Sequence, residues 1–290
     1  MRTPPRVMPA IVTPFTAAGS IDRGAHRSNV ARLWQRGIHG AVIGGSNGEG
    51  PYLEPGERLI LAADAREAAP DGFVMVGLAA ESLRAALAMT AEATEAGADA
   101  ILAITPTTLV RHRIDLVEGF FSDLADASPL PVFLYSVPKV TAYELPIEVA
   151  IRLSAHPNVV GMKDSGGDPV RCVTVATSAP RGFWMFAGAS PAVAPAVAGG
   201  AHGGITASAN YAPELVAAVV AAAGTPEANP LHERLLRLSG AVERHGVAGV
   251  KYAATRTGLD GGLPRQPLRP IGSVAAAEVD AALAEADLLG

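Results

Sequence analysis

The chain reads as an α/β protein, a closed (β/α)8 TIM barrel with a C-terminal helical appendage, and three observations carry that reading. Short apolar runs of β type recur along it: Met8 to Thr13, Gly40 to Gly44, Phe73 to Gly77, Ala100 to Ile104, Val132 to Tyr135, Val159 to Lys163, Trp184 to Ala187 and Gly203 to Thr206. Their spacing of roughly 20 to 35 residues leaves room for one crossover helix each, the pattern of βα units in a parallel sheet. Three helix-to-strand joins are built alike, starting at Gly37, Gly97 and Gly200. In each, a glycine ends the helix and a short buried run follows.

Eight such units argue for a closed barrel over an open doubly wound sheet. An open sheet would also bring a phosphate loop, and Gly45-Ser46-Asn47-Gly48-Glu49-Gly50 matches neither GxGxxG nor the lysine-bearing P-loop. Between the runs, Ser82 is placed to cap a helix from Leu83 to Ala96, and Pro55 to start one ending near Ala69. Beyond Thr206 the pattern changes to helices over Pro213 to Ala223, Pro230 to Arg244 and Val274 to Leu289, with a proline-rich connection from Gly261 to Pro270. Residues 1–210 are therefore assigned to the barrel and its active site, and 211–290 to a helical region packed on the barrel or on a neighbouring subunit.

Composition narrows the function classes. The chain has 290 residues, of which 49% are hydrophobic, enough for a large core. Its net charge of −5 is spread out and no basic run of five residues occurs, which argues against a nucleic-acid surface. Cys172 is the single cysteine, so there is no internal disulfide, and without a CxxC or His/Cys cluster no metal site is expected; both suit a reducing cytoplasm. Met1 to Arg6 lacks the apolar segment of a signal peptide, and Leu215 to Ala222 falls far short of the ~18 residues needed to span a bilayer.

In a barrel of this kind, chemistry sits where the strands end. Lys163 closes the sixth run, Val159-Val160-Gly161-Met162-Lys163. A charge at the end of a strand buried on both faces needs a reason: an ion pair at the barrel mouth is one, and a desolvated amine that attacks a carbonyl carbon to form a Schiff base is the other. Tyr135 ends the fifth run, where its hydroxyl can shuttle protons for imine formation and C–C cleavage or simply cap the core. Ser46 and Asn47 follow the second run in a glycine-rich turn, where side chains and backbone N–H groups can cradle a carboxylate or merely shape the turn. Ser165, two residues past Lys163, points to the same side and can meet a substrate hydroxyl or cap a loop. Asp164 points into the wall. Gly188 and Ile205, at the ends of the last two strands, can offer backbone carbonyls and close approach to a ligand. Convergence of Lys163, Tyr135 and Ser46-Asn47 on one mouth favours the chemical reading. It implies a small-molecule 2-oxo acid substrate and no cofactor.

The sequence resembles the dihydrodipicolinate synthase and N-acetylneuraminate lyase family of class I, pyruvate-dependent aldolases over nearly its whole length. Ala10-Ile11-Val12-Thr13-Pro14-Phe15, Gly45 to Glu49, Tyr135-Ser136-Val137-Pro138, Gly161 to Gly167 and Val250-Lys251-Tyr252 fall in the family's order. The stretch from His156 to Asp168, with Ser-Asn-Gly-Glu and Tyr-Ser-Val-Pro, is most similar to the 4-hydroxy-2-oxoglutarate aldolase branch. The resemblance implies Lys163 as the Schiff-base former, Tyr135 as acid/base, Ser46 and Asn47 as the carboxylate cradle, and a homotetramer.

Three departures bear on substrate. Where dihydrodipicolinate synthases carry a carboxylate-holding arginine, this chain has Val140; where sialic acid lyases carry an acidic pair after Gly188, it has Ala189-Ser190-Pro191. The relay tyrosine that most members lend to a neighbouring subunit is replaced in Thr105-Pro106-Thr107-Thr108-Leu109, leaving Thr108 as a candidate to hold a water there. The expected activity is a carbon–carbon lyase that cleaves a short 4-hydroxy-2-oxo acid, such as 4-hydroxy-2-oxoglutarate, to pyruvate and an aldehyde. A distal carboxylate would meet Lys139 or Arg111-His112-Arg113. A dehydratase or synthase of the same family and a non-catalytic 2-oxo acid-binding relative are the alternatives.

Overall fold

A computed structural model describes residues 2–289. Its strands are β1 (Val7–Pro9), β2 (Gly40–Ile43), β3 (Phe73–Leu78), β4 (Ala100–Ile104), β5 (Val132–Ser136), β6 (Val159–Asp164), β7 (Trp184–Ala187) and β8 (Gly203–Thr206). All neighbours pair in parallel in the order β1-β8-β7-β6-β5-β4-β3-β2. The ring closes where Ala10 bridges Val42 and the Ile11 N–H donates to the Val42 carbonyl at 3.1 Å. The structure is thus the TIM barrel that the alternating pattern predicts.

Between and after the strands lie α1 (Arg23–Gln35), α2 (Glu57–Ala68), α3 (Leu83–Glu95), α4 (Ile114–Ala127), α5 (Pro138–Thr141), α6 (Ile147–Leu153), α7 (Pro169–Ser178), α8 (Val193–Ala198), α9 (Pro213–Ala222), α10 (Ala228–Glu243), α11 (Gly246–Arg256) and α12 (Ser273–Glu285). Ser82 caps α3 by accepting from the Ala85 N–H, while α2 begins after Gly56 rather than at Pro55. Gly37, Gly97 and Gly200 all have positive φ, the left-handed turn that lets each helix stop and the next strand begin. No helix among the described residues is long and apolar enough to cross a membrane.

Two apolar layers separate inside from outside. Met8, Val42, Phe73, Met75, Leu102, Phe133, Phe186 and Ile205 fill the barrel interior, and the larger layer lies between strands and helices. α9 packs on β1 and β8, in the place of the barrel's eighth outer helix, although the sequence reading groups it with the helices that follow. Beyond it, α10, α11 and α12 pack on one another. The end of α10 brings Glu243 to Ser190 and Tyr211, while the chain after α11 returns to the barrel, where the Leu263 N–H donates to the Phe15 carbonyl at 2.9 Å.

One irregularity positions the site. In β6 the register to β5 shifts after Val132↔Val159, so that Phe133 pairs with Gly161 and Tyr135 with Lys163. Val160 is the extra residue of a bulge. Side chains alternate along a strand, and an inserted residue reverses which of the following ones face inward. Val159 faces the helices; without the bulge Lys163 would face them too. Gly161, now directed at the interior, sits against the Phe133 ring, where a Cβ would collide.

Candidate active site

Lys163 lies inside the mouth with 3% of its surface exposed. Its Nζ stands 4.5 Å from the centre of the Tyr135 ring, a cation over an aromatic face. Tyr135 is buried, and its hydroxyl is 3.3 Å from Ser46 Oγ. Burial pushes the phenol's pKa up, but the Lys163 charge and the hydroxyls of Ser46 and Ser165 outweigh it, leaving it below its ordinary value of 10. A phenol so placed gives up its proton more readily than a free tyrosine.

Asn47 sits half-buried beside Ser46 in the turn after β2. The turn is held from below: Thr13 Oγ1 donates to the Gly48 carbonyl at 2.7 Å, and Arg58 donates from Nε to Gly77 O and from Nη2 to Gly50 O. Ser165 follows Lys163 on the same side, its N–H donating to Ser136 O at 2.9 Å. Gly188 closes the other flank, its N–H donating to Asp164 O at 2.6 Å. A Cβ at 188 would meet Ser165 Oγ and come within 2.9 Å of Lys163 Cε, so the close approach needs glycine. Ile205 is fully buried among the interior side chains. Asp164 points the other way, into an ion pair with Arg171 at 3.1 Å.

The structure therefore gathers Lys163, Tyr135, Ser46, Ser165 and Gly188 at one mouth, with Asn47 next to Ser46 in the turn and Ile205 among the interior side chains. Thr108 stands apart. Its side chain is exposed, and its N–H, with that of Thr107, donates to Glu81 Oε2 at 2.8 Å. The arginine cluster is also engaged or remote: Arg113 pairs with Asp115, and Arg111 and His112 are exposed.

Two further buried groups lie on the C-terminal helices, Glu243 outside any motif and Lys251 within the Val250-Lys251-Tyr252 stretch. Glu243, on α10, accepts from Ser190 Oγ at 3.0 Å and from Tyr211 Oη at 3.1 Å, and Ser190 in turn joins Ser208 and Thr206 in a chain of hydroxyls. Burial raises the Glu243 pKa despite these donors. Lys251, on α11, is as buried as Lys163, but its Nζ lies 2.5 Å from Glu49 Oε1 and donates to Leu263 O at 2.6 Å. Cys172, in α7, is core: burial pushes its thiol up to about 12.

The model of the dihydrodipicolinate synthetase family matches residues 3–286. The chain belongs to that family. Similar proteins include a 4-hydroxy-tetrahydrodipicolinate synthase 1 of Streptomyces coelicolor, 35% identical over 270 residues that cover 91% of this chain and 87% of the relative. A 4-hydroxy-tetrahydrodipicolinate synthase of Azoarcus sp. is 36% identical over 269 residues, 90% of this chain and 91% of the relative. Among solved structures, the chloride-inhibited dihydrodipicolinate synthase of Acinetobacter baumannii, complexed with pyruvate, superposes with a TM-score of 0.93 at 28% identity, covering 99% of this chain and 100% of that one. Membership of the dihydrodipicolinate synthetase family makes the chain a class I, pyruvate-dependent aldolase or synthase, a carbon–carbon lyase in the broad sense. These relatives bear the synthase name; the 4-hydroxy-2-oxoglutarate aldolase branch is not among the names they carry.

Proposed function

We propose that the protein is a Schiff-base-forming aldolase that cleaves a short 4-hydroxy-2-oxo acid to pyruvate and an aldehyde. The observation that carries it is a buried lysine with no carboxylate in salt-bridge contact among the described residues, its Nζ over the ring of a tyrosine whose hydroxyl contacts Ser46. The Lys163 amine adds to the C2 carbonyl carbon. Tyr135 protonates the resulting carbinolamine oxygen, which leaves as water, and a protonated imine remains. Tyr135, now the base, takes the C4 hydroxyl proton; the C3–C4 bond breaks, its electron pair passes into the imine to give an enamine, and C4 departs as the aldehyde. Protonation at C3 and hydrolysis by water release pyruvate and restore the amine.

In this reading Ser46 and Asn47 hold the C1 carboxylate, Ser165 meets a substrate hydroxyl, and Gly188 and Ile205 shape the space beside the imine. Work in the cytoplasm and as a homotetramer belongs to the same proposal. The test is borohydride reduction in the presence of pyruvate, followed by peptide mass mapping. A stable adduct on the peptide carrying Lys163 is expected; an unmodified Lys163 at saturating pyruvate overturns the reading. Assaying pyruvate release against formation of a dehydrated 2-oxo acid separates cleavage from dehydration.

A further inference from the structure

A cavity of about 230 Å³ opens beside the Ser46–Tyr135 contact, on the β2–β4 side of the mouth. Its walls are apolar: Leu78, Leu102, Ile104, Val140, Val247 and Leu268. Among the described residues no lysine, arginine or histidine lines it. The carboxylate on its wall, Glu49, is already bound to Lys251 and accepts from the Arg265 N–H. At the rim Val140 is 57% exposed, an apolar side chain left facing solvent at the entrance.

We infer that this cavity takes the aldehyde half of the substrate and that this half is an apolar aliphatic or aromatic group rather than a carboxylate-bearing one. The inference rests on the aldolase reading proposed above and follows from where the reacting atoms must lie. In the condensation direction the enamine C3 attacks the aldehyde carbon while the aldehyde oxygen takes a proton from Tyr135, becoming the C4 hydroxyl. That oxygen must sit at the Tyr135 hydroxyl, which forms the polar edge of the cavity together with Ser46. The substituent on C4 then extends from this edge over Ile104 and Leu102 toward Val140. A carboxylate there would lose its hydration and meet no cationic side chain among the lining residues, a large penalty for a buried anion. An alkyl or aryl group would instead remove apolar surface from water on both sides. The distal-carboxylate partners considered from sequence do not alter this, since Arg111, His112, Arg113 and Lys139 are not among the lining residues.

The experiment has two arms on the full-length protein. Borohydride trapping with pyruvate tests Lys163 independently of the aldehyde. Then kcat/KM for condensation of pyruvate is measured with acetaldehyde, butyraldehyde, benzaldehyde and glyoxylate, for the native chain and for Val140→Arg, a change at a solvent-facing position. Butyraldehyde is expected to exceed acetaldehyde by about 10-fold, the effect of two buried methylenes, and both apolar probes to exceed glyoxylate; Val140→Arg is expected to raise glyoxylate turnover and lower that of benzaldehyde. Trapping at Lys163 combined with a native preference for glyoxylate, or with no dependence on chain length, overturns the inference and leaves the aldolase reading standing. Absence of trapping removes that reading and the inference with it.

Discussion

Two lysines in this molecule are equally hidden and differently used. Lys163 and Lys251 are 3% and 2% exposed, and each holds its ammonium group near an aromatic ring, Tyr135 at 4.5 Å and Phe15 at 4.8 Å. Lys251 has a carboxylate at 2.5 Å and a carbonyl at 2.6 Å, which satisfy the charge and stitch α11 to the turn after β2. Lys163 has no such contact among the described residues, faces the mouth, and meets the charge of Glu243 only at longer range. Burial alone does not mark a catalytic lysine; the proposed role of Lys163 rests on burial with no carboxylate in salt-bridge contact, next to a phenol.

The sharpest way to break the comparison is to remove each amine. Lys163→Met is expected to abolish borohydride trapping and to cut kcat/KM by about 10⁶-fold, the scale on which loss of a covalent nucleophile acts, while thermal stability holds or rises. Activity of that variant near the native level would sink the assignment. Tyr135→Phe should retain the adduct but lower kcat by roughly 10²–10⁴-fold, measurable by pyruvate release.

For the second lysine the expectation is inverted. Lys251→Met should leave the trapped adduct on Lys163 intact in folded protein while costing about 3–5 kcal/mol of stability, because Glu49 is left as an unpaired buried charge. Adding Glu49→Gln should recover most of that loss in denaturant titration; two losses that simply add would show that the pair is not coupled. A smaller effect is expected from Asn47→Ala, a rise of about 10-fold in KM for pyruvate, the scale of one or two hydrogen bonds to a charged group, with kcat little changed.

His26 supplies the control for burial itself. It is buried, contacts the Leu61 carbonyl through Nε2 at 3.0 Å, and desolvation lowers its pKa from 6.5. Below 6.5 the unfolded chain therefore binds a proton that the folded chain refuses. Its contribution is fully present above that pH and is lost as pH falls toward the lowered folded value. Urea midpoints measured from pH 7.5 to 5 should decline, and His26→Gln should flatten the decline.

The eight strands were legible because each is a β-type run closed off by turn residues, and the positive-φ glycines at 37, 97 and 200 mark where helices stop. Lys163 was legible as a charge in an apolar run. Its inward direction was read from convergence with Tyr135 and Ser46-Asn47 and not from the run itself, since the Val160 bulge that sets it arises from pairing with β5 and leaves no local mark. α11 escaped because Gly246 and Gly249 weaken a helical pattern; Gly249 is needed there, a Cβ at that position meeting the Val242 carbonyl. Glu243 carries no motif and reaches Ser190 only once α10 has packed. Thr108 was singled out by what other chains have in its place. Within this chain the loop is tied through its backbone to Glu81 and the Thr108 side chain is exposed.

Cys172 has a practical consequence. The chain's single thiol is sealed in α7 and raised to about 12, so it stays protonated and unreactive toward maleimides under ordinary labelling conditions. Any cysteine introduced elsewhere, at the 91% exposed Leu109 for instance, would be the lone labelling point. The native sequence thus already provides a silent background for fluorescence or spin-label distance measurements, with no cysteine to remove first.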